Sequence, residues 1–172
     1  RWKGEARTAP QRIARGRDWF ENGADVPAMA VLADGTAFFA HWLSKSGKGT
    51  YAYGVRVSRS LDAGKNWSVP LTPHRDSTET EHGFVSWTAV SPDRAALVWL
   101  DGRETSGDEG HGGPLTLRSA TLTQDGRLAD ETLTVIREGD DRRRCSHAFG
   151  VLDNLRRLAF HDGNARIGGA EV

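Results

Sequence analysis

The chain has 172 residues, and its 23 Lys plus Arg are balanced by 23 Asp plus Glu. That is long enough for one domain with a buried core, and it leaves no net field to draw in nucleic acid or an anionic membrane. No apolar run approaches the length of a membrane span, and the single cysteine, Cys145, excludes an internal disulfide while leaving the redox compartment open. Twenty glycines and six tryptophans, with few long helical patterns, predict an all-β chain with tight turns.

Residues 1–25 are basic and mixed, with Arg7, Arg12, Arg15 and Arg17 in one short stretch. A short helix, an edge strand or a disordered arm would each fit there, with Trp19 and Phe20 as an aromatic anchor. From Pro27 the pattern sharpens. Ala28 to Leu32 is apolar, Ala33-Asp34-Gly35 is a turn, and Thr36 to Leu43 is apolar and aromatic, which predicts a hairpin. After a Gly/Ser/Lys loop, Tyr51, Tyr53, Val55 and Val57 alternate with Ala52, Gly54, Arg56 and Ser58, the period of a strand.

The next stretch, Ser60-Leu61-Asp62-Ala63-Gly64-Lys65-Asn66-Trp67, reads S-x-D-x-G-x-x-W. Gly64 can take a positive φ, Ser60 and Asp62 can bond backbone groups of their own turn, and Trp67 can anchor it on the core. Trp67 to Leu71 then predicts a fourth strand. The pattern recurs with Phe84–Val90, a Ser91-Pro92-Asp93 turn, Ala95–Leu100, a Gly-rich loop over 101–114, Leu115–Leu122, a Gln124-Asp125-Gly126 turn and Leu128–Ile136. Arg56 maps onto Arg118 and Gly64 onto Gly126. A third copy is expected from Cys145 onward, with Asp162-Gly163 repeating Asp101-Gly102, so the chain reads as a repeat architecture.

The S-x-D-x-G-x-x-W turn resembles the Asp-box, or BNR repeat, of the sialidase-like β-propellers. His41-Trp42-Leu43, Pro73-His74-Arg75-Asp76 and Thr80-Glu81-His82-Gly83-Phe84 are similar to a bacterial sialidase-like subgroup. The resemblance implies an incomplete β-propeller of four-stranded antiparallel blades, two full and one partial, at about 26–72, 83–136 and 145–172 behind a basic leader of 1–25. Such rings close with about 4–8 blades. The expectation is therefore part of a longer protein or a truncated relative, with open propeller edges through which copies can associate.

Catalytic residues carry over poorly from that family. Its substrate carboxylate is held by three arginines, the first in an R-I-P segment, and Asp25 stands at that position here. The tyrosine nucleophile of the family lies late in the chain, whereas Tyr51 and Tyr53 sit in an early strand. Two functions follow from the resemblance: an exo-α-sialidase-type glycoside hydrolase, inactive as this chain stands, or a non-catalytic propeller domain binding a glycan or a protein. A secreted or periplasmic location is implied by the resemblance alone.

The polar residues His74, Arg75, Asp76, Glu81 and His82 cluster between the two repeats. Asp76, Glu81 and Asp101 are the candidate acids, and Arg75, His82 and Arg103 the candidate substrate-binding residues, against the plainer reading of a solvated loop with internal ion pairs. Ser60, Asp62, Gly64 and Trp67 are read as structural. The spacing matches neither H-E-x-x-H nor an EF-hand, and the loop holding Asp108, Glu109 and His111 lacks a P-loop Lys-Ser/Thr. No metal and no cofactor is expected, and the expected partner is a carbohydrate or a protein.

Overall fold

The computed structural model describes residues 9–32, 34–105 and 114–136. These residues form seven strands: β1 Ala28–Val31, β2 Phe38–Lys45, β3 Tyr53–Ser60, β4 His82–Ser91, β5 Arg94–Asp101, β6 Thr116–Thr123 and β7 Leu128–Ile136. They make one three-stranded sheet, β1-β2-β3, and one four-stranded sheet, β4-β5-β6-β7, each a simple antiparallel meander.

Local chemistry explains the turns. Asp34 accepts from the Thr36 N–H at 2.9 Å and from its hydroxyl at 2.6 Å, and Gly35 stands at φ 69°, so the β1–β2 reversal is held from within. In the turn after β3, the Ser60 hydroxyl donates to Asp62 Oδ1 at 2.8 Å and accepts from the Gly64 N–H at 2.9 Å. Asp62 also accepts from the Asn66 N–H at 2.8 Å, and the Trp67 indole donates to the Gly64 carbonyl at 3.0 Å. Gly64 has φ 84°, a conformation open to glycine without Cβ strain.

The two sheets share one core. Phe39, Leu43, Val55 and Val57 from β2 and β3 meet Trp87, Leu97, Trp99 and Leu122 from the second sheet. Phe39 and Trp87 stack at 5.7 Å, and the Trp87 indole donates to His41 Nδ1 at 2.8 Å, a buried bond from β4 to β2. Residues 18–20 run along the end of β2: the Lys45 N–H donates to the Asp18 carbonyl, the Phe20 N–H donates to the Leu43 carbonyl, and Phe20 stacks on Tyr53 at 3.8 Å. A parallel bridge between Tyr53 and Glu81 ties β3 to the segment that opens β4.

Several expectations need correction. The fold is two small open sheets and not a β-propeller: neither sheet closes, and no ring of blades is present among the described residues. The first repeat has three strands, because Trp67–Leu71 contributes only an isolated bridge from Leu71 to Val57. The Ser68 N–H, and not that of Val69, goes to the Arg59 carbonyl, one residue out of step with the Leu71–Val57 pair, so no regular ladder forms, and Val69 is 87 % exposed. With no propeller among the described residues, the expected open propeller edges through which copies would associate are not there either. The partial blade at 145–172 lies outside the described residues.

Candidate functional site

The loop end of the two sheets gathers the polar residues. Residues 72–81 cross from the first sheet to β4, and β5 ends beside them at Asp101. Asp101 is fully buried, with Oδ2 accepting from the Trp99 indole at 2.8 Å and both carboxylate oxygens gripped by the Arg103 guanidinium at 2.7 and 2.8 Å. Arg103 also bonds Glu131 of β7 and lies 3.2 Å from Asp76 Oδ2. Arg118 of β6, paired across from Trp99, reaches Glu131 at 3.4 Å. Burial alone would lower the pKa of Arg103, but Asp101, Asp76 and Glu131 raise it.

Next to this network lie two stacked imidazoles, His74 and His82, with ring centroids 4.1 Å apart and planes within 11°. His82 is fully buried, with Nδ1 3.0 Å from the Thr80 carbonyl and Nε2 2.9 Å from Asp76 Oδ2 and 3.6 Å from Asp101 Oδ2. The other oxygen of Asp76 accepts from the Thr78 N–H and hydroxyl at 3.0 and 2.5 Å. Burial opposes ionisation of Asp76, yet Thr78, His82 and Arg103 together hold its pKa down to about 2. The His74 side chain is only 8 % exposed; its Nδ1 lies 3.3 Å from Asp76 Oδ2, and neither ring nitrogen makes a hydrogen bond. Burial first, and then His82, lower the pKa of His74 to about 4.

A second group adjoins the first. The Tyr53 hydroxyl donates to Glu81 Oε1 at 2.6 Å, and the buried Asp25 accepts from the Phe84 N–H. Burial raises the pKa of Asp25 against the pull of the Phe84 and Val85 N–H groups, and it raises that of Tyr53 together with Glu81. Phe84 has φ 52° in the irregular start of β4, where the β4–β5 register shifts between Gly83 and Ser86.

The candidate residues therefore separate. Asp76, His82, Asp101 and Arg103 come together, Glu81 turns toward Tyr53, and Arg75 gives its backbone N–H to Glu131 at 2.8 Å. Ser60 ends β3 and Asp62, Gly64 and Trp67 follow it, roughly 23 Å from Tyr53 over the strand's seven residue steps. Sequence reasoning missed Glu131 and Arg118. Both are charged residues inside otherwise alternating strands, and a charge at a half-buried strand position is the signal that points to such a partner.

The family model for NAD-specific glutamate dehydrogenase matches residues 116–172, about a third of the chain. No curated protein and no solved structure matches. The sialidase-like resemblance, the glycoside hydrolase activity and the glycan- or protein-binding propeller domain drawn from it accordingly do not hold: the family likeness lies elsewhere, and the described residues form no propeller. The described part of the matched segment is the antiparallel pair β6–β7. A dinucleotide site places its pyrophosphate at a strand-to-helix turn, and the described residues contain no helix.

Proposed function

We propose that this chain is a cation-binding β-sheet module, with its binding locus at Asp76 and His82 where residues 72–82 cross between the sheets. The observation that carries this reading is His82. Both of its ring nitrogens face oxygen acceptors, the Thr80 carbonyl and the Asp76 carboxylate, at 3.0 and 2.9 Å. A neutral imidazole has one N–H to donate, so one of these contacts calls for one more positive charge, either a second ring proton or a bound cation. Asp76, Asp101 and Glu131 bring three carboxylates against the two guanidiniums of Arg103 and Arg118, which leaves one negative charge beside His82 for that proton or cation to offset. Asp76 and Asp101 are read as charge partners here and not as catalytic acids.

The reading is tested by melting the full chain, freed of metals with a chelator, against separate titrations of K⁺, Mg²⁺, Ca²⁺ and Zn²⁺. Saturable stabilisation by at least one of them is expected, since a ligand bound only by the folded state raises its stability in proportion to the logarithm of its concentration. Asp76→Asn should remove the effect. No saturable shift with any ion would end the proposal.

A further inference from the structure

We propose that His41 is an acid-sensitive latch that couples the two sheets at neutral pH and loosens them as the pH falls. His41 stands in β2, is 1 % exposed, and has Ala28 of β1 and Val57 of β3 directly across from it. Its Nδ1 takes the indole N–H of Trp87 at 2.8 Å, and Trp87 belongs to β4 in the other sheet. An indole nitrogen only donates. Nδ1 must therefore keep its lone pair free, and the neutral ring carries its proton on Nε2. The geometry of one bond thus sets both the tautomer and the charge of a side chain in the core.

The surroundings resist a second proton. Nε2 makes no hydrogen bond, and among the described residues only the Val26 backbone favours the charged ring. The flanking charges are engaged elsewhere: Asp25 with the Phe84 N–H, Lys45 with the Phe20 ring and the Thr50 carbonyl, and Arg59 with the Gln124 carbonyl. A proton on Nδ1 would set two N–H groups against each other across 2.8 Å and leave an unpaired cation in the core. Relief requires Trp87 to draw away from His41. Trp87 also stacks on Phe39 at 5.7 Å, so the packing between the sheets is disturbed with it.

Proton linkage sets the direction. Burial lowers the pKa of His41 from 6.5 to about 4, against a smaller opposing pull from the Val26 backbone. The unfolded chain therefore takes up the proton first. The latch holds fully above pH 6.5 and is lost progressively as the pH falls toward 4, by up to about tenfold in the folding equilibrium for each pH unit. His74, also buried and with a pKa of about 4, adds a slope of the same sign. The latch is therefore measured as a difference between wild type and a variant.

The test is urea unfolding of the full 172-residue chain, wild type and His41→Asn, at neutral pH and at about pH 4.5. Asparagine puts an amide oxygen where Nδ1 stands, accepts the Trp87 indole N–H and does not titrate. Between the two conditions, wild type is expected to lose about tenfold or more in folding equilibrium relative to the variant. Should His41→Asn fail to fold, NMR of the imidazole nitrogens in the isotope-labelled wild type decides. It should place the His41 proton on Nε2 at neutral pH and show a ring that stays neutral well below the ordinary histidine range. Equal loss in wild type and variant, a proton on Nδ1 at neutral pH, or a His41 ring that charges near 6.5 in the folded protein would each overturn the latch.

Discussion

Asp62 works through hydrogen bonds that need its charge. Its carboxylate accepts from the Asn66 N–H, the Asn66 side-chain amide and the Ser60 hydroxyl, and these hold its pKa down to about 2. A carboxyl group with a folded pKa below its unfolded value stabilises the protein above the unfolded value, near 3.8, and loses that contribution as the pH falls through the folded value. Asp62→Asn keeps the shape of the side chain and removes the charge. It should melt a few degrees below wild type at neutral pH, and the gap should close between pH 3.8 and about 2. A gap that persists unchanged at the acid end would show that the charge is not what stabilises the turn. This residue is far from the polar cluster, so the variant should leave any cation response intact.

Among the strands, β4 has the most demanding start. His82 and Gly83 pair regularly with Asp101 and Leu100, and the register then shifts before Ser86 while Phe84 takes a left-handed φ. A non-glycine residue held in that region costs about 1–3 kcal/mol and persists only where surrounding structure over-determines it. Here the Asp25 carboxylate takes the Phe84 N–H, and the Tyr53 ring lies against the Gly83 backbone. A Cβ at Gly83 would collide with Asp25 Oδ2 and stand 2.9 Å from Tyr53 Cε2. Gly83→Ala should therefore destabilise the chain by about 1–3 kcal/mol through overpacking, read as a lower denaturant midpoint. It should also displace Tyr53 from Glu81, visible as a change in tyrosine environment. Wild-type stability in this variant would mean that β4 can move away from β3 at little cost.

At the scale of the whole molecule, the shared core predicts one cooperative unit. Leu97 of β5 is fully buried in the cluster that also holds Phe39, Val55 and Val57 of the other sheet. Leu97→Ala should cost about 2–5 kcal/mol, the range for a large-to-small change in a packed core. Far-UV circular dichroism and tryptophan fluorescence should lose their signals at the same lowered temperature, because Trp87 and Trp99 sit in that cluster. Two separated transitions would show that the sheets unfold independently.

The strand positions were legible in the chain itself. Alternation over Tyr51–Val57, the apolar runs at Phe84–Val90 and Ala95–Leu100, and the D-G turns each have a local cause, so β1 to β7 begin and end within a few residues of where side-chain period and turn chemistry put them. At Trp67–Leu71 the ladder fails because Ser68 meets Arg59 one residue out of step with the Leu71–Val57 pair, an irregularity that side-chain period does not show. The four strands of the second sheet match the expected meander, whereas the strand count of the first sheet and the arrangement of the two sheets were not local, and a likeness of short turns to a propeller's supplied neither. The polar cluster was half legible: His74, Asp76 and His82 are close in sequence, but a spacing of two and six residues in a loop matches no helical or hairpin ligand pattern. Only the docking of the 72–81 crossing against the ends of β5 and β7 brings Asp101, Arg103 and Glu131 to them. Local periodicity fixes which way a side chain points along its own strand, whereas the partners of a buried charge come from other strands, and tertiary packing decides which ones arrive.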